Sequence, residues 1–233
     1  MGEAPFDVGI AGAGQLARMT CLAAWPLGIR VAVLGGDDEP AAPMAAGVVP
    51  GDWHDAEAVA RLGAACAVVT LENEFVDAAH LARVQAAGTP VRPDAARLAT
   101  VQDKALQKQA LQDAGLPVAA FVVPDSARDL PAAGRDLGWP LVLKSRKLGY
   151  DGYGNATCAS PEEALAAYGG LAERGGGVLA EAFVPFEREL AVMVAQAASS
   201  APVAYPVVET VQRDHVLREL VAPAPVEAAT TAE

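Results

Sequence analysis

From Asp7 to Pro90 the chain alternates short apolar runs with amphipathic stretches, and few folds accept that order. Residues 7–14, DVGIAGAG, read as a buried strand running into a glycine turn. Residues 15–24 follow as a helix with Leu16, Met19, Leu22 and Ala23 on one face, stopped by Pro26 and Gly28. Residues 30–35 form a second strand, 35–43 a loop, 55–63 a short helix and 66–71, CAVVTL, a third strand. A helix over 77–87 ends at Gly88 and Pro90. Strands that alternate with helices bury their apolar faces best as a parallel sheet with helices packed on it.

Past residue 93 the pattern changes. Pro93-Asp94 opens a linker, and 101–114 reads as a helix that Thr100 can cap and Gly115 can close. Residues 118–124 and 140–145 read as strands, and GYDGYGN at 149–155 as a flexible glycine loop. Ser160-Pro161-Glu162-Glu163 is a capping box with proline at the first helical position, opening a helix that ends near Gly175-Gly176-Gly177. Residues 178–183, 188–195, 203–209 and 215–221 read as further strands, and 222–233 as a tail. There is no internal repeat.

Charge narrows the function. Seventeen basic against 29 acidic residues give a net charge of −12. That argues against nucleic acid and membrane surfaces, which attract excess Lys and Arg. No apolar run approaches a membrane span, and Met1–Asp7 lacks a secretory pattern, so we expect a soluble, cytoplasmic chain. Cys21, Cys66 and Cys158 lack disulfide-frame or metal-ligand spacing, and His54, His80 and His215 are isolated. No serine sits in a nucleophile elbow. The four lysines, Lys104, Lys108, Lys144 and Lys147, all fall in one window.

Four places can carry chemistry. Gly12-Ala13-Gly14-Gln15-Leu16-Ala17 is G-x-G-x-x-A between a strand and a helix, either an anion contact or a tight turn with nothing bound. Asp37 and Asp38 come late for a nicotinamide ribose contact. Lys144 closes an apolar strand just before the glycine loop, an arrangement suited to a polyphosphate: the ammonium offsets charge and loop N–H groups fold over it. Glu181, Glu187 and Glu189 lie in LAEAFVPFEREL, where a strand end can meet an adenine edge and a carboxylate can accept from ribose; they can equally be solvated strand acids. Glu72 and Glu74 follow the third strand, where parallel sheets place ligands, and either orient a substrate or merely charge a loop.

Taken in order, GAGQLARM, TLENEFVD, QDKALQKQAL, LVLKSRKLGYDGYGN, LAEAFVPFERELAVMV and YPVVETVQRDHVLREL resemble the 5-(carboxyamino)imidazole ribonucleotide synthases, ATP-grasp ligases of purine biosynthesis. The likeness runs from residue 7 to about 226. It implies an α/β chain with an N-terminal parallel-sheet, Rossmann-like pre-ATP-grasp domain over 1–95. An incomplete α+β ATP-grasp domain would follow, its small lobe at 96–176 and the opening of its large lobe at 177–233. The implied reaction carboxylates 5-aminoimidazole ribonucleotide with bicarbonate and ATP, through carboxyphosphate.

By position, the resemblance makes Lys104 and Lys144 ATP contacts, and Gly149, Tyr150, Asp151, Gly152, Tyr153, Gly154 and Asn155 the phosphate loop. Glu181, Ala182, Phe183 and Val184 become the adenine-edge segment, Glu189 the ribose acceptor, and Gln212 a further ATP contact where the family usually has histidine. Tyr150 and Asp151 would lie near the aminoimidazole, and Glu72 or Glu74 near bicarbonate. Leu148 stands where a glycine is usual, Ala17 where another is, Thr210 where asparagine is, and His215 where glycine is. The acids expected to hold Mg2+ belong to a C-terminal stretch that this sequence does not contain, so we expect weak ATP binding and little turnover. Family members tend to be homodimers. The competing readings are a nicotinamide-dependent oxidoreductase and a non-catalytic nucleotide-binding protein of the same fold.

Overall fold

Why the first strands sit in a sheet is plain from their burial. Ile10, Val33 and Val69 are at most 1% exposed in a computed structural model of the chain, which describes residues 4–149, 154–197, 199–213 and 216–227. By contact the chain forms two compact units, Met1–Pro117 and Val118–Glu233.

The first unit begins with β1 (Phe6–Ala11), α1 (Gln15–Ala24), β2 (Val31–Gly35), β3 (Gly47–Pro50), α2 (Ala56–Ala65), β4 (Cys66–Leu71) and α3 (Ala78–Ala86). It ends with α4 (Ala95–Gln102) and α5 (Lys104–Asp113). Its sheet has the order β3-β2-β1-β4 with every pairing parallel, as the alternation requires. One core holds Leu34, Val59, Leu62, Leu81 and Leu98; a second holds Ile10, Ala17, Cys21 and Val33.

Three expectations need correcting here. Helix α1 buries its small face, Ala17, Cys21 and Ala24, while Leu16, Met19 and Leu22 are at least half exposed. Small side chains let the helix lie close on the sheet. Edge strand β3 was not anticipated: GVVP is short and carries a proline, which an edge tolerates. The single helix over 101–114 is two helices. Asp103 interrupts it and caps α5 by accepting from the Ala105 N–H at 3.0 Å, whereas the Thr100 hydroxyl donates back to Ala96.

The second unit contains β5 (Phe121–Val122), α6 (Leu130–Leu137), β6 (Leu141–Ser145), β7 (Asn155–Cys158), α7 (Pro161–Gly175) and β8 (Val178–Ala182). These build an antiparallel sheet of order β5-β8-β6-β7. Beyond it come β9 (Glu189–Ala191), β10 (Val194–Ala195), β11 (Val203–Ala204), β12 (Val208–Arg213) and β13 (Val216–Val221). Strands β13-β12-β9 form a second antiparallel sheet, and β10-β11 a two-stranded ribbon. The Ser160 side chain caps α7 by accepting from the Glu163 N–H, and Gly176 closes that helix at φ +65°.

Period-two burial along β6 sets the site. Leu141, Leu143 and Ser145 are buried, and the two leucines join a core with Leu130, Leu171, Val178 and Ala180. Val142 and Lys144 project to the opposite face, as alternation demands. The two parts of the chain are thus a parallel α/β unit followed by antiparallel α+β structure.

Candidate functional site

A cleft of about 840 Å³ opens within the second unit, on the face of β6 that carries Lys144. Register explains its floor. Val142 pairs with Thr157 and Lys144 with Asn155 across β6–β7, while Val142 faces Glu181 across β6–β8. All five line the cleft. Lys144 therefore reaches diagonally to Glu181, and its ammonium lies 2.8 Å from Glu181 Oε2. The Glu181 side chain is 7% exposed and that of Lys144 is 28% exposed. The pair leaves a partly sheltered cation on the cleft face of β6.

The segment after β8 forms one wall. Ala182, Phe183, Val184 and Phe186 line the cleft, with Phe183 47% and Phe186 66% exposed. Exposed aromatic faces beside open backbone offer stacking surface and hydrogen-bonding edges to a planar base. Glu189 also lines the cleft, and its Oε1 accepts from Thr210 Oγ1 at 2.8 Å and from Gln212 Nε2 at 2.7 Å. Arg188 and Glu209 also line the cleft, 3.6 Å apart.

Of the expected nucleotide residues, Lys144, Asn155, Glu181, Ala182, Phe183, Val184, Glu189 and Gln212 thus meet around one cleft. Gly149 and Gly154 flank it in the chain. A Cβ on Gly154, at φ +97°, would lie 3.0 Å from the Gly149 backbone. Leu148 holds φ +57°, a left-handed conformation that favours glycine. Tyr150, Asp151, Gly152 and Tyr153 lie outside the described residues. Lys104 opens α5 in the first unit. Thr157, Phe186 and Thr210 were missed. Thr157 was findable as the cross-strand partner of Val142, had the β6–β7 register been known.

The first unit answers the G-x-G-x-x-A question differently. Glu72 accepts from the backbone N–H of Gly14 at 2.8 Å through Oε2, and from Leu16 at 3.1 Å and Ala17 at 3.4 Å through Oε1. A carboxylate of the chain itself thus occupies the N-terminus of α1, where a bound anion was one of the two readings. Glycine is required for that approach, because a Cβ on Gly12 or on Gly14 would lie 2.5 Å from a Glu72 oxygen. Glu74 is exposed in the turn after β4, its backbone carbonyl accepting from Gln102.

The cysteines are buried and free, with burial pushing the Cys66 thiol up to about 11. Among the described residues no group of three or more His, Cys, Asp or Glu could hold a metal ion. No helix there is long and apolar enough to cross a membrane.

Comparison with known proteins bears on the family. Residues 109–233 fit the ATP-grasp domain model and 6–102 the ribonucleotide synthetase preATP-grasp domain model. The chain is 42% identical over 221 residues to the N5-carboxyaminoimidazole ribonucleotide synthase of Synechococcus elongatus, covering 93% of this chain and 55% of that one. It is 37% identical to the phosphoribosylaminoimidazole carboxylase of Schizosaccharomyces pombe, covering 93% of this chain and 39% of that enzyme. Among solved structures, it superimposes on N5-carboxyaminoimidazole synthase from Aspergillus clavatus in complex with ADP and 5-aminoimidazole ribonucleotide. That match has a TM-score of 0.88 and 36% identity, over 97% of this chain and 59% of the other. The chain spans about half the length of the curated bacterial relative. The resemblance read from the motifs therefore holds, and this chain belongs to the ATP-grasp family.

Proposed function

We propose that the chain carries the adenine-nucleotide site of an ATP-dependent carbon–nitrogen ligase that carboxylates 5-aminoimidazole ribonucleotide with bicarbonate, in purine biosynthesis. The observation that carries this is the convergence of Lys144 from β6, Glu181–Val184 and Glu189 from the stretch joining β8 to β9, and Gln212 from β12 on one cleft. The relatives named above, one of them solved with ADP and 5-aminoimidazole ribonucleotide, point the same way.

Each residue then has a task its chemistry suits. The Lys144 ammonium meets the polyphosphate and is oriented beforehand by Glu181. The backbone of Ala182–Val184 takes the adenine edge, and Phe183 and Phe186 shelter its face. Glu189 accepts from ribose hydroxyls. The glycine loop, from Gly149 through Tyr150, Asp151, Gly152, Tyr153 and Gly154 to Asn155, covers the phosphates and shields the reacting groups from water. Tyr150 and Asp151 face the aminoimidazole, Lys104 assists at the nucleotide, and Glu72 or Glu74 serves the bicarbonate side. We retain the division into 1–95, 96–176 and 177–233 as part of this reading.

In the reaction the γ-phosphoryl group of ATP passes to a bicarbonate oxygen and ADP leaves. The substrate amine then takes the carboxyl group, inorganic phosphate departs and the amine loses a proton. A Mg2+ ion bound with ATP would draw most of its ligands from the phosphates and water and would offset the phosphate charge.

The test is ADP release by the chain with bicarbonate and a magnesium salt, with and without 5-aminoimidazole ribonucleotide. Release that depends on the ribonucleotide supports the ligase. ATP binding with no release, even when the chain is supplied with the remainder of a relative's sequence, replaces it with a non-catalytic nucleotide-binding protein.

A further inference from the structure

Glu189 is held in an unusual way for a carboxylate on the wall of an open cleft. Thr210 lies directly across from it in the β9–β12 register, and Gln212 is two residues on, on the same face. The β12–β13 pairing slips between Val211 and Gln212, passing over Arg218, and such an irregularity re-aims the side chains beside it. Both donors land on the same atom: Thr210 Oγ1 at 2.8 Å and Gln212 Nε2 at 2.7 Å from Oε1. Oε2 accepts no hydrogen bond from the described residues.

We infer that Thr210 and Gln212 are positioning residues that set ribose selectivity, fixing Glu189 so that Oε2 is presented to a sugar hydroxyl. This rests on the adenine-nucleotide reading above. Two donors on Oε1 use its two lone-pair directions and lock the carboxylate rotamer before ligand arrives, so less side-chain freedom is lost on binding. Both donors are neutral. A hydroxyl and an amide orient the carboxylate without cancelling its charge, so Oε2 stays a strong acceptor, which a Lys or Arg partner would weaken. Were the contact merely structural, its removal would leave the preference for the ligand's sugar unchanged.

The experiment compares the affinities of ATP and 2′,3′-dideoxy-ATP on the 233-residue chain by calorimetry. The unaltered chain should favour ATP roughly tenfold or more, the scale of a hydrogen bond to a charged group. The double variant Thr210→Val/Gln212→Leu should bring that ratio close to one, and Thr210→Ser should keep it. Lys144→Gln should weaken both ligands together and leave the ratio unchanged. The ratio is taken on one sample, so partial unfolding cancels from it. Retention of full discrimination by the double variant overturns the proposal. Equal affinities in the unaltered chain overturn it as well, with nucleotide binding left standing. Binding of neither nucleotide overturns the adenine-nucleotide reading itself and the proposal with it.

Discussion

The two glycine-rich segments, Gly12–Ala17 in the first unit and Gly149–Asn155 in the second, both follow an apolar strand, and the charges beside them differ. In the first the chain supplies its own anion: Glu72, more than fifty residues away, lies on the N–H groups of Gly14, Leu16 and Ala17. In the second the strand before the turn delivers a cation, Lys144, to an open cleft, with Glu181 holding it in place. Glycine spacing reports room for an anion. The charge brought beside the glycines, a carboxylate from a distant segment or an ammonium from the strand before them, decides whether that anion is the chain's own or a ligand's.

The largest effect should come from closing the room in the first turn. Gly12→Ala places a methyl 2.5 Å from Glu72 Oε2 and 2.7 Å from Glu72 Cβ, at φ +131°, which L residues rarely adopt. We expect a loss of about 3 kcal/mol in urea unfolding, from overpacking and backbone strain together. Glu72→Ala removes the acceptor of three helix N–H groups and should cost about 1–2 kcal/mol. The double variant should lose less than the two losses added, because the colliding carboxylate is gone while the strain remains. Strict additivity would mean that Glu72 is not what the glycines accommodate.

A parallel break in the second unit separates stability from ligand binding. Lys144→Ala leaves the Glu181 carboxylate, 7% exposed, without that ammonium, and should cost about 1–3 kcal/mol. Lys144→Met with Glu181→Leu should recover most of it, since an apolar pair needs no charge compensation. ATP affinity should stay low in both. If the apolar pair binds ATP as the unaltered chain does, Lys144 is a structural cation and the two turns are alike after all.

How far these differences could be read beforehand varies by residue. The parallel sheet was legible because β1, β2 and β4 are short, mainly apolar runs, β1 and β2 running into glycines and β4 into the acidic Glu72-Asn73-Glu74 stretch. The cleft was legible in the order of Lys144, the glycine loop and Glu189, which come from local patterns. Helix α1 was misread because Leu16, Met19 and Leu22 outweigh Ala17 and Cys21 on any hydrophobicity count, although close packing on a sheet favours the small face. Asp103 was hidden inside a run that reads as helix, since a cap depends on backbone geometry. Glu72 on α1, and Thr210 with Gln212 on Glu189, are contacts between distant segments. Nothing local encodes them; register alone brings them together.

A smaller effect lies at the entrance to the second turn. Leu148, 52% exposed, takes φ +57°. Leu148→Ala and Leu148→Gly both remove the exposed side chain, but only glycine removes the Cβ that makes this conformation costly. Part of that gain is offset by the greater freedom of glycine in the unfolded chain. Leu148→Gly should therefore be more stable than Leu148→Ala by about 0.5 kcal/mol in thermal unfolding of the second unit. Equality would mean that the turn relaxes around either residue, and that its conformation owes nothing to position 148.

The smallest effect is a pH dependence that sharpens the reading of Glu72 by removing a background. At the start of β1, Asp7 accepts from the Arg30 guanidinium at 3.1 and 3.2 Å and from the Arg30 N–H at 2.7 Å. The guanidinium hydrogen bonds first, and the backbone N–H next, hold its carboxyl below the usual carboxylate range. A depressed folded-state pKa adds stability that is complete above the unfolded value, near 4, and is lost as pH falls through the folded value. Asp7→Asn should therefore lower the urea midpoint slightly at neutral pH and flatten its decline between about pH 5 and pH 2. Salt should shrink the difference, because both partners are exposed. An unchanged acid slope would mean that the Arg30 fork contributes nothing in solution. The acid sensitivity of the first unit would then have to be sought among its other carboxylates, with Glu72→Ala in the Asp7→Asn background as the next measurement.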